Sequence, residues 1–302
     1  SLLSPKSLKY NILDCIITRR SFTIAMRKNY CVIGSPIAHS LSPAIHNMLY
    51  ARYGLECSYG KELVRPDTLE GFLSSLDARG IYGFNITMPL KQTILPYLSS
   101  VSSEASGGVN TVVVQADGRL FGYSTDAAGF YASLTNIGSG YHGRNVVFIG
   151  AGAVTRLLAH DAVQKGAKSV VIVNRTPEKA QGIAREINAS FDSLPNIAKH
   201  LKNCELLVNT TPLGMHGTGQ DFEDLSFLDS LPVRAAVCDL IYSPAQTSFL
   251  QYAANRGLIT MNGLGMLIWQ AFFSFEKWFG ILPDRGDYQA VEAALLKDLV
   301  HT

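Results

Sequence analysis

Lys91 closes the segment Asn85-Ile86-Thr87-Met88-Pro89-Leu90-Lys91, a strand end running into a helix, so its amine is delivered onto a first helical turn. The helix dipole is positive there and disfavours a cation, so the placement asks for a reason beyond local stability, and function is one such reason. Val109-Asn110-Thr111 and Ser124-Thr125-Asp126-Ala127-Ala128-Gly129 add an amide and a carboxylate at strand ends of the same region. In α/β sheets ligands gather outside the carboxyl ends of strands, so groups far apart in sequence can converge. Earlier in the chain, Ser40-Leu41-Ser42-Pro43 opens a helix with Pro43 fitting its first position. The two hydroxyls and the free N–H groups there could receive an anion such as a carboxylate, while N-capping alone is the commoner use of a serine like Ser42. His39 and His46 have no metal-ligand company, and no metal site is expected.

A second signal is the run Val146-Val147-Phe148-Ile149 leading into Gly150-Ala151-Gly152-Ala153-Val154-Thr155 and then a helical stretch. Strand, glycine turn and helix in that order let backbone N–H groups reach a pyrophosphate at the helix N-terminus. A Cβ at Gly150 or Gly152 would block the tight turn or the close approach. The third small position holds Thr155, so the glycine motif alone is weak. The next strand ends at Asn174-Arg175-Thr176, where an NAD site usually carries an acid for the ribose 2′-hydroxyl. Arg175, with Lys179 one turn further, instead offers cationic donors suited to a 2′-phosphate, which points to NADP.

These groups need elements to hold them. From Tyr30 short apolar runs alternate with amphipathic ones: Tyr30–Gly34, Pro43–Tyr53, Ser58–Val64, Thr68–Ala78 and Gly83–Thr87, the pattern of βαβ units. A helix over Pro89–Leu98 follows, then a hairpin in which Val109–Val114 and Leu120–Tyr123 flank Asp117-Gly118. The helix from Asp126 and the polar loop Ile137–Arg144 mark a join between domains. A second βα series runs Asn145–Gly150, Val154–Lys165, Ser169–Asn174, Pro177–Ile187, Glu205–Thr210 and Ala235–Asp239, and helical periodicity returns over Met266–Phe279 and Tyr288–Leu299.

The chain has 302 residues, 47% hydrophobic and 17% charged, enough for about two globular domains. Lys plus Arg is 26 against 24 for Asp plus Glu, a net +2 that leaves no basic field for nucleic acid. No apolar run is long enough to cross a bilayer; Met266–Phe273 is broken by Gln270. The five cysteines, Cys15, Cys31, Cys57, Cys204 and Cys238, are widely spaced without a C-x-x-C pair, which suits reduced, cytoplasmic chemistry. The basic residues Lys6, Lys9, Arg19, Arg20, Arg27 and Lys28 against Asp14 mark residues 1–29 as an extension of unknown role, and the start at Ser1 suggests that the true beginning is missing.

The sequence resembles the shikimate dehydrogenase family over nearly all of residues 30–282. The likeness rests on the serine pair in S-x-S-P-x-x-H-N, the N-I-T-x-P-x-K, V-N-T and T-D-x-x-G segments, the glycine loop and N-R-T. It continues through N-T-T-P-L-G-M at Asn209–Met215, Y-x-P-x-x-T at Tyr242–Thr247 and G-L-G-M-L-x-x-Q-A at Gly263–Ala271. The resemblance implies an α/β fold of two domains. Residues 30–130 plus 264–302 would bind substrate, residues 131–263 would form a Rossmann-like doubly wound NADP domain, and the C-terminal helices would return to the first domain. It implies reversible NADPH-dependent reduction of 3-dehydroshikimate to shikimate, with Lys91 and Asp126 as the catalytic pair. Ser40 and Ser42 would hold the substrate carboxylate, with Asn85, Thr87, Asn110 and Gln270 around the ring. Tyr242, Gly263 and Met266 would face the site from the cofactor side, and Gly150, Ala151, Gly152, Ala153, Val154, Asn174, Arg175, Thr176, Lys179 and Thr210 would contact the cofactor. The chain departs from the family at Ser124, where Asn is usual and the turn presenting Asp126 could loosen, and at Ala153 and Val154, where Gly and Ala are usual; Arg156 is retained. Alternatives are a quinate or dual quinate/shikimate dehydrogenase, a catalytically silent ligand-binding relative, and a folate-type two-domain NADP enzyme. A monomer or homodimer is expected.

Overall fold

The computed structural model describes residues 28–105 and 108–300; the basic leader, with Cys15, lies outside the described residues except for Lys28 and Asn29. The first lobe is built on β1 (Lys28–Gly34), β2 (Cys57–Leu63), β3 (Ile81–Ile86), β4 (Ser100–Val101), β5 (Thr111–Val114) and β6 (Leu120–Tyr123). They form one sheet in the order β2-β1-β3-β5-β6-β4. β1 pairs in parallel with β2 and β3, whereas β5 runs antiparallel to β3 and β6. The expected hairpin is present: Gly118 takes φ +81° and the Gln115 N–H donates to the Arg119 carbonyl at 2.8 Å. That positive φ is what glycine allows at the end of a short hairpin loop.

Helices α1 (Ser42–Arg52), α2 (Leu69–Ser74) and α3 (Leu90–Thr93) accompany this sheet, and α4 (Asp126–Asn136) leaves it, burying Phe130 and Leu134 in the core of the second lobe. Two elements are shorter than the sequence pattern suggests. The Thr68–Ala78 segment is a 3₁₀ turn at Pro66–Thr68 followed by the six-residue α2. Pro89–Leu98 divides into α3 and a 3₁₀ turn at Leu95–Tyr97, because Pro96 has no N–H to continue a helical ladder.

The second lobe is an all-parallel sheet of β7 (Asn145–Ile149), β8 (Ser169–Asn174), β9 (Ser190–Ser193), β10 (Leu206–Asn209), β11 (Ala236–Asp239) and β12 (Ile259–Met261). Its order, β9-β8-β7-β10-β11-β12, is the doubly wound Rossmann order. Helices α5 (Ala153–Gln164), α6 (Pro177–Glu186), α7 (Ala198–Leu201) and α8 (Ser248–Asn255) connect the strands. One apolar cluster gathers Phe148, Leu158, Ile172 and Val208 on one face, and a second gathers Val147, Leu207, Val237 and Phe249 on the other. This two-sided burial explains why β7, β10 and β11 read as continuous apolar runs. The edge strands β9 and β12 escape that pattern, since an edge strand carries less of the core.

The last two helices, α9 (Leu264–Phe279) and α10 (Arg285–Val300), leave the second sheet and pack on the first lobe, where Ile268, Phe272, Phe275 and Val291 share a core with Tyr30, Ile45 and Leu49. α9 crosses α4 in close contact because small residues stand at the crossing. A Cβ on Gly129 would lie 2.8 Å from the Gln270 nitrogen, and one on Gly265 would lie 2.9 Å from Ser133 Cβ. α4 and α9 therefore couple the two lobes. No described helix is long and apolar enough to cross a membrane.

Candidate active site

Lys91 is the second residue of α3 and Asp126 the first of α4, two short segments that begin at strand ends of the same sheet. Lys91 Nζ stands 2.5 Å from Asp126 Oδ2. The carboxylate suits the N-terminus of α4, whereas α3 is a single four-residue turn with Lys91 also in its last turn, so the dipole that the sequence sets against this lysine is slight. Asp126 is 9% exposed and Lys91 keeps a third of its side chain in solvent, so the pair sits at the mouth of the site rather than in the core. The main chain around Lys91 is tightly fitted: its carbonyl accepts from the Val109 N–H at 2.9 Å, and Gly108, at φ +126°, passes close beneath its Cβ.

Asn110 completes the pair. Its Nδ2 donates to Asp126 Oδ1 at 2.8 Å and to Thr125 Oγ1 at 3.0 Å, while its Oδ1 accepts from the Thr125 N–H at 2.9 Å. Ser124, where the family usually has Asn, does not hold this turn: its buried hydroxyl has no hydrogen-bond partner. Thr125 does so instead, with backbone and side chain both on Asn110.

The remaining candidate residues divide into rim and foundation. Ser42 is buried and begins α1 itself, with Leu41 in the cap position, so the helix starts one residue before the expected point and Pro43 is its second residue. Ser42 is therefore not an N-cap; its own N–H donates to Ser40 Oγ at 3.3 Å. Thr87 lies against the end of β1, where a Cβ on Gly34 would come within 2.3 Å of its methyl group. Gln270 is half-buried on α9 and donates to the Leu267 carbonyl at 2.8 Å. Asn85 is a foundation residue, 5% exposed and bonded on every side, with its Oδ1 accepting from Tyr59 at 2.6 Å. Tyr242, after β11, packs on the first-lobe core, and burial raises its phenol pKa.

The glycine turn lies at the switch point of the second sheet, between β7 and β10. Gly150 has φ +115°, and a Cβ there would strike Thr210 Oγ1 at 2.4 Å. Gly152 is exposed and opens onto empty space, leaving an unblocked approach to the N-terminus of α5. Thr155 fills the third small position of the motif with a hydroxyl that accepts from the Gly152 N–H at 3.2 Å and meets Thr210 Oγ1 at 2.7 Å, tying the two switch-point loops together. Thr210 Oγ1 in turn donates to the Ile149 carbonyl at 2.7 Å. Val154 turns its side chain to the core cluster and Ala153 is small and exposed, so neither departure fills the turn.

Arg175 and Lys179 are both exposed beside the end of β8, while the Asn174 amide closes the loop onto the Thr176 carbonyl at 2.9 Å. Arg156 is held differently, paired with Glu186 at 3.2 Å. Ala151 is half-buried, and Met266, on the first turn of α9, brings its carbonyl near Gly129. Gly263 cannot be replaced without moving backbone, because a Cβ would stand 1.9 Å from the Leu240 carbonyl oxygen. An open glycine turn, the start of α5 and two exposed cations, Arg175 after β8 and Lys179 on α6, neither with an ion-pair partner among the described residues, form a donor set that fits a dinucleotide carrying a 2′-phosphate.

Three family models match the chain: shikimate dehydrogenase substrate binding domain over residues 32–112, shikimate / quinate 5-dehydrogenase over 133–214, and shikimate 5′-dehydrogenase C-terminal domain over 263–296. A shikimate dehydrogenase (NADP(+)) of Geobacillus kaustophilus is 36% identical over 265 residues, covering 86% of this chain and 95% of that protein. The crystal structure of Thermus thermophilus shikimate 5-dehydrogenase in complex with NADP(H) and shikimate superposes with a TM-score of 0.78 at 36% identity, covering 88% of this chain and 99% of that one. A quinate dehydrogenase of Corynebacterium glutamicum in complex with NAD also matches, with a TM-score of 0.78 at 28% identity over 89% of this chain and 98% of that one. Identity of this depth, running through both lobes and the returning helices, establishes that the chain belongs to the shikimate dehydrogenase family.

Proposed function

We propose that the protein catalyses the reversible, NADP-linked reduction of 3-dehydroshikimate to shikimate, with residues 30–130 and 264–302 as the substrate lobe and residues 131–263 as the cofactor lobe. The observation that carries this reading is the contact of Lys91 with Asp126 at the carboxyl ends of the first sheet, with Asn110 on the carboxylate's other oxygen. In this reading Ser40 and Ser42 bind the substrate carboxylate at the start of α1, and Thr87, Asn110, Asp126 and Gln270 engage the ring hydroxyls. Lys91, as ammonium, donates to the carbonyl oxygen. As the carbonyl becomes an alkoxide, the ammonium meets the developing negative charge and gives up its proton, leaving a neutral amine that solvent reprotonates. Asp126 keeps the amine aimed and accepts from a neighbouring hydroxyl. NADP(H), when bound, supplies the hydride in one direction and takes it back in the other. Gly150, Ala151, Gly152, Ala153 and Val154 would cradle its pyrophosphate, Asn174, Arg175, Thr176 and Lys179 its 2′-phosphoribose end, and Thr210, Gly263 and Met266 the side nearer the substrate lobe, while Tyr242 would bind substrate from the cofactor side.

The assay that decides this is a matrix of shikimate or quinate against NADP⁺ or NAD⁺, read at the nicotinamide absorbance band. The highest kcat/KM is expected for shikimate with NADP⁺. Preference for quinate would move the protein to the reading that its likeness to the C. glutamicum quinate dehydrogenase keeps open, and absence of turnover with all four pairs would make it a silent ligand-binding relative. In this reading the enzyme acts in the cytoplasm, as a monomer or homodimer.

A further inference from the structure

Behind the Lys91–Asp126 pair lies a buried polar lattice formed by strands β2, β3 and β5, the Asn110–Thr125 turn and helix α9. Tyr59 on β2 donates its hydroxyl to Asn85 Oδ1 at 2.6 Å. Asn85 Nδ2 stands 3.0 Å from the Asn110 carbonyl, from Thr111 Oγ1 and from Ser274 Oγ. Ser274, fully buried on α9 one turn beyond Gln270, meets Thr111 Oγ1 at 2.8 Å and donates to the Gln270 carbonyl at 2.9 Å. Thr111 Oγ1 donates to Asn110 Oδ1 at 2.9 Å. The lattice thus ends on the amide that serves Asp126.

Donor and acceptor bookkeeping gives this lattice a single sense. The Asn110 carbonyl can only accept, so the Asn85 NH₂ must face it, and Asn85 Oδ1 is left to take the Tyr59 proton. The Thr125 N–H can only donate, so Asn110 Oδ1 must face it, and the Asn110 NH₂ is then directed at Asp126 Oδ1. Flipping either amide would set two donors, or two acceptors, face to face in a buried site. Asp126 is thereby held through one carboxylate oxygen by the Asn110 amide and meets Lys91 with the other.

We propose that Tyr59 and Ser274 are positioning residues for catalysis: by holding Asn85 and Thr111 from opposite sides they fix the Asn110 amide, and through it the Asp126 carboxylate against Lys91. The proposal rests on the reading of Lys91 and Asp126 as the catalytic pair. It also accounts for the placement of Ser274 on the same helix as Gln270: the returning α9 joins the sheet that carries the pair through this hydroxyl.

Two variants test it. Tyr59→Phe removes one hydroxyl and keeps the ring stacked on His46, whose centroid is 4.3 Å away; Ser274→Ala removes the other. For each, kcat and KM are measured across pH per mole of folded enzyme, and the ionisation of Asp126 is followed by ¹³C NMR of its carboxyl carbon. The expected result is a fall in kcat of roughly tenfold or more, KM for NADP⁺ unchanged, and a displaced Asp126 titration with a matching shift in the kcat–pH profile. Lower thermal stability with kcat, pH profile and titration all as in the parent enzyme would reduce both residues to fold stability and overturn the proposal. Failure of the functional reading is distinguishable, because the parent enzyme would then not oxidise shikimate, while the carboxyl titration would still report whether the lattice governs Asp126.

Discussion

Replacing Lys91 with alanine separates what the amine does for the fold from what it does for the reaction. The ion pair is short, 2.5 Å, but the lysine side chain is 31% exposed, so solvent screens it. Its loss should cost about 1 kcal/mol of stability, the upper part of the range for partly exposed pairs. Asp126 is not orphaned by the change, since Asn110 still donates to Oδ1 at 2.8 Å and the carboxylate still lies in the first turn of α4, at the positive end of its dipole. That stability loss corresponds to a Tm decrease of about 1–2 °C for a chain of this size. A group that donates a proton in the transition state is worth about 10²–10⁴ in rate, or about 3–5 kcal/mol of barrier. Turnover of Lys91→Ala should therefore fall by at least about a hundredfold while the melting curve barely moves. In the proposed reading the other lobe holds the cofactor, so NADP⁺ affinity, measured by calorimetry, should not change. The assay is shikimate oxidation with saturating NADP⁺, normalised to folded protein. A variant that keeps kcat within roughly threefold of the parent, or that loses NADP⁺ binding in proportion to kcat, would remove Lys91 from proton transfer.

Arg175→Ala should weaken NADPH binding about 10–100-fold while leaving NADH nearly untouched, the scale of a charge-assisted hydrogen bond to phosphate; equal loss for both cofactors would exclude a 2′-phosphate contact. His46 is fully enclosed, with neither ring nitrogen hydrogen-bonded among the described residues, and burial depresses its pKa to about 3. A depressed folded-state pKa gives stability that is complete above the unfolded value of about 6.5 and is lost as pH falls toward 3. Between pH 7 and pH 5 the parent protein should lose about 2 kcal/mol relative to His46→Phe, measured by urea unfolding at each pH. Asp239, which burial pushes up to about 6, acts with the opposite sign but is common to both proteins and cancels. Parallel stability curves for the two proteins would show that His46 does not titrate between the folded and unfolded states.

Several features were legible without coordinates because their signals are local. Apolar runs at β7, β8 and β10, the glycine turn after β7 and the cation at Arg175 all follow from neighbouring residues in the chain. Lys91 was conspicuous because a cation at a helix start opposes the dipole, and Asp126 because a carboxylate there agrees with it. Edge strands β9 and β12 were not legible, since Ser190–Ser193 is polar and Ile259–Met261 is only three residues long. The role of Thr155 was hidden for a different reason: read as an imperfect glycine motif, it is a hydroxyl whose partner, Thr210, is 55 residues away.

Sequence by itself determined which chemical groups exist and which kind of element each one sits on, because backbone preference and burial period are set within a few residues. Tertiary structure alone decided that Lys91 meets Asp126 across 35 residues, that Asn85 lies beneath the site rather than on its rim, and that Tyr59 and Ser274 brace it from two different elements. Those facts depend on strand register and on how closely α4 and α9 can approach at Gly129 and Gly265, and a hydrogen bond is made or lost over a few tenths of an ångström that no local pattern encodes.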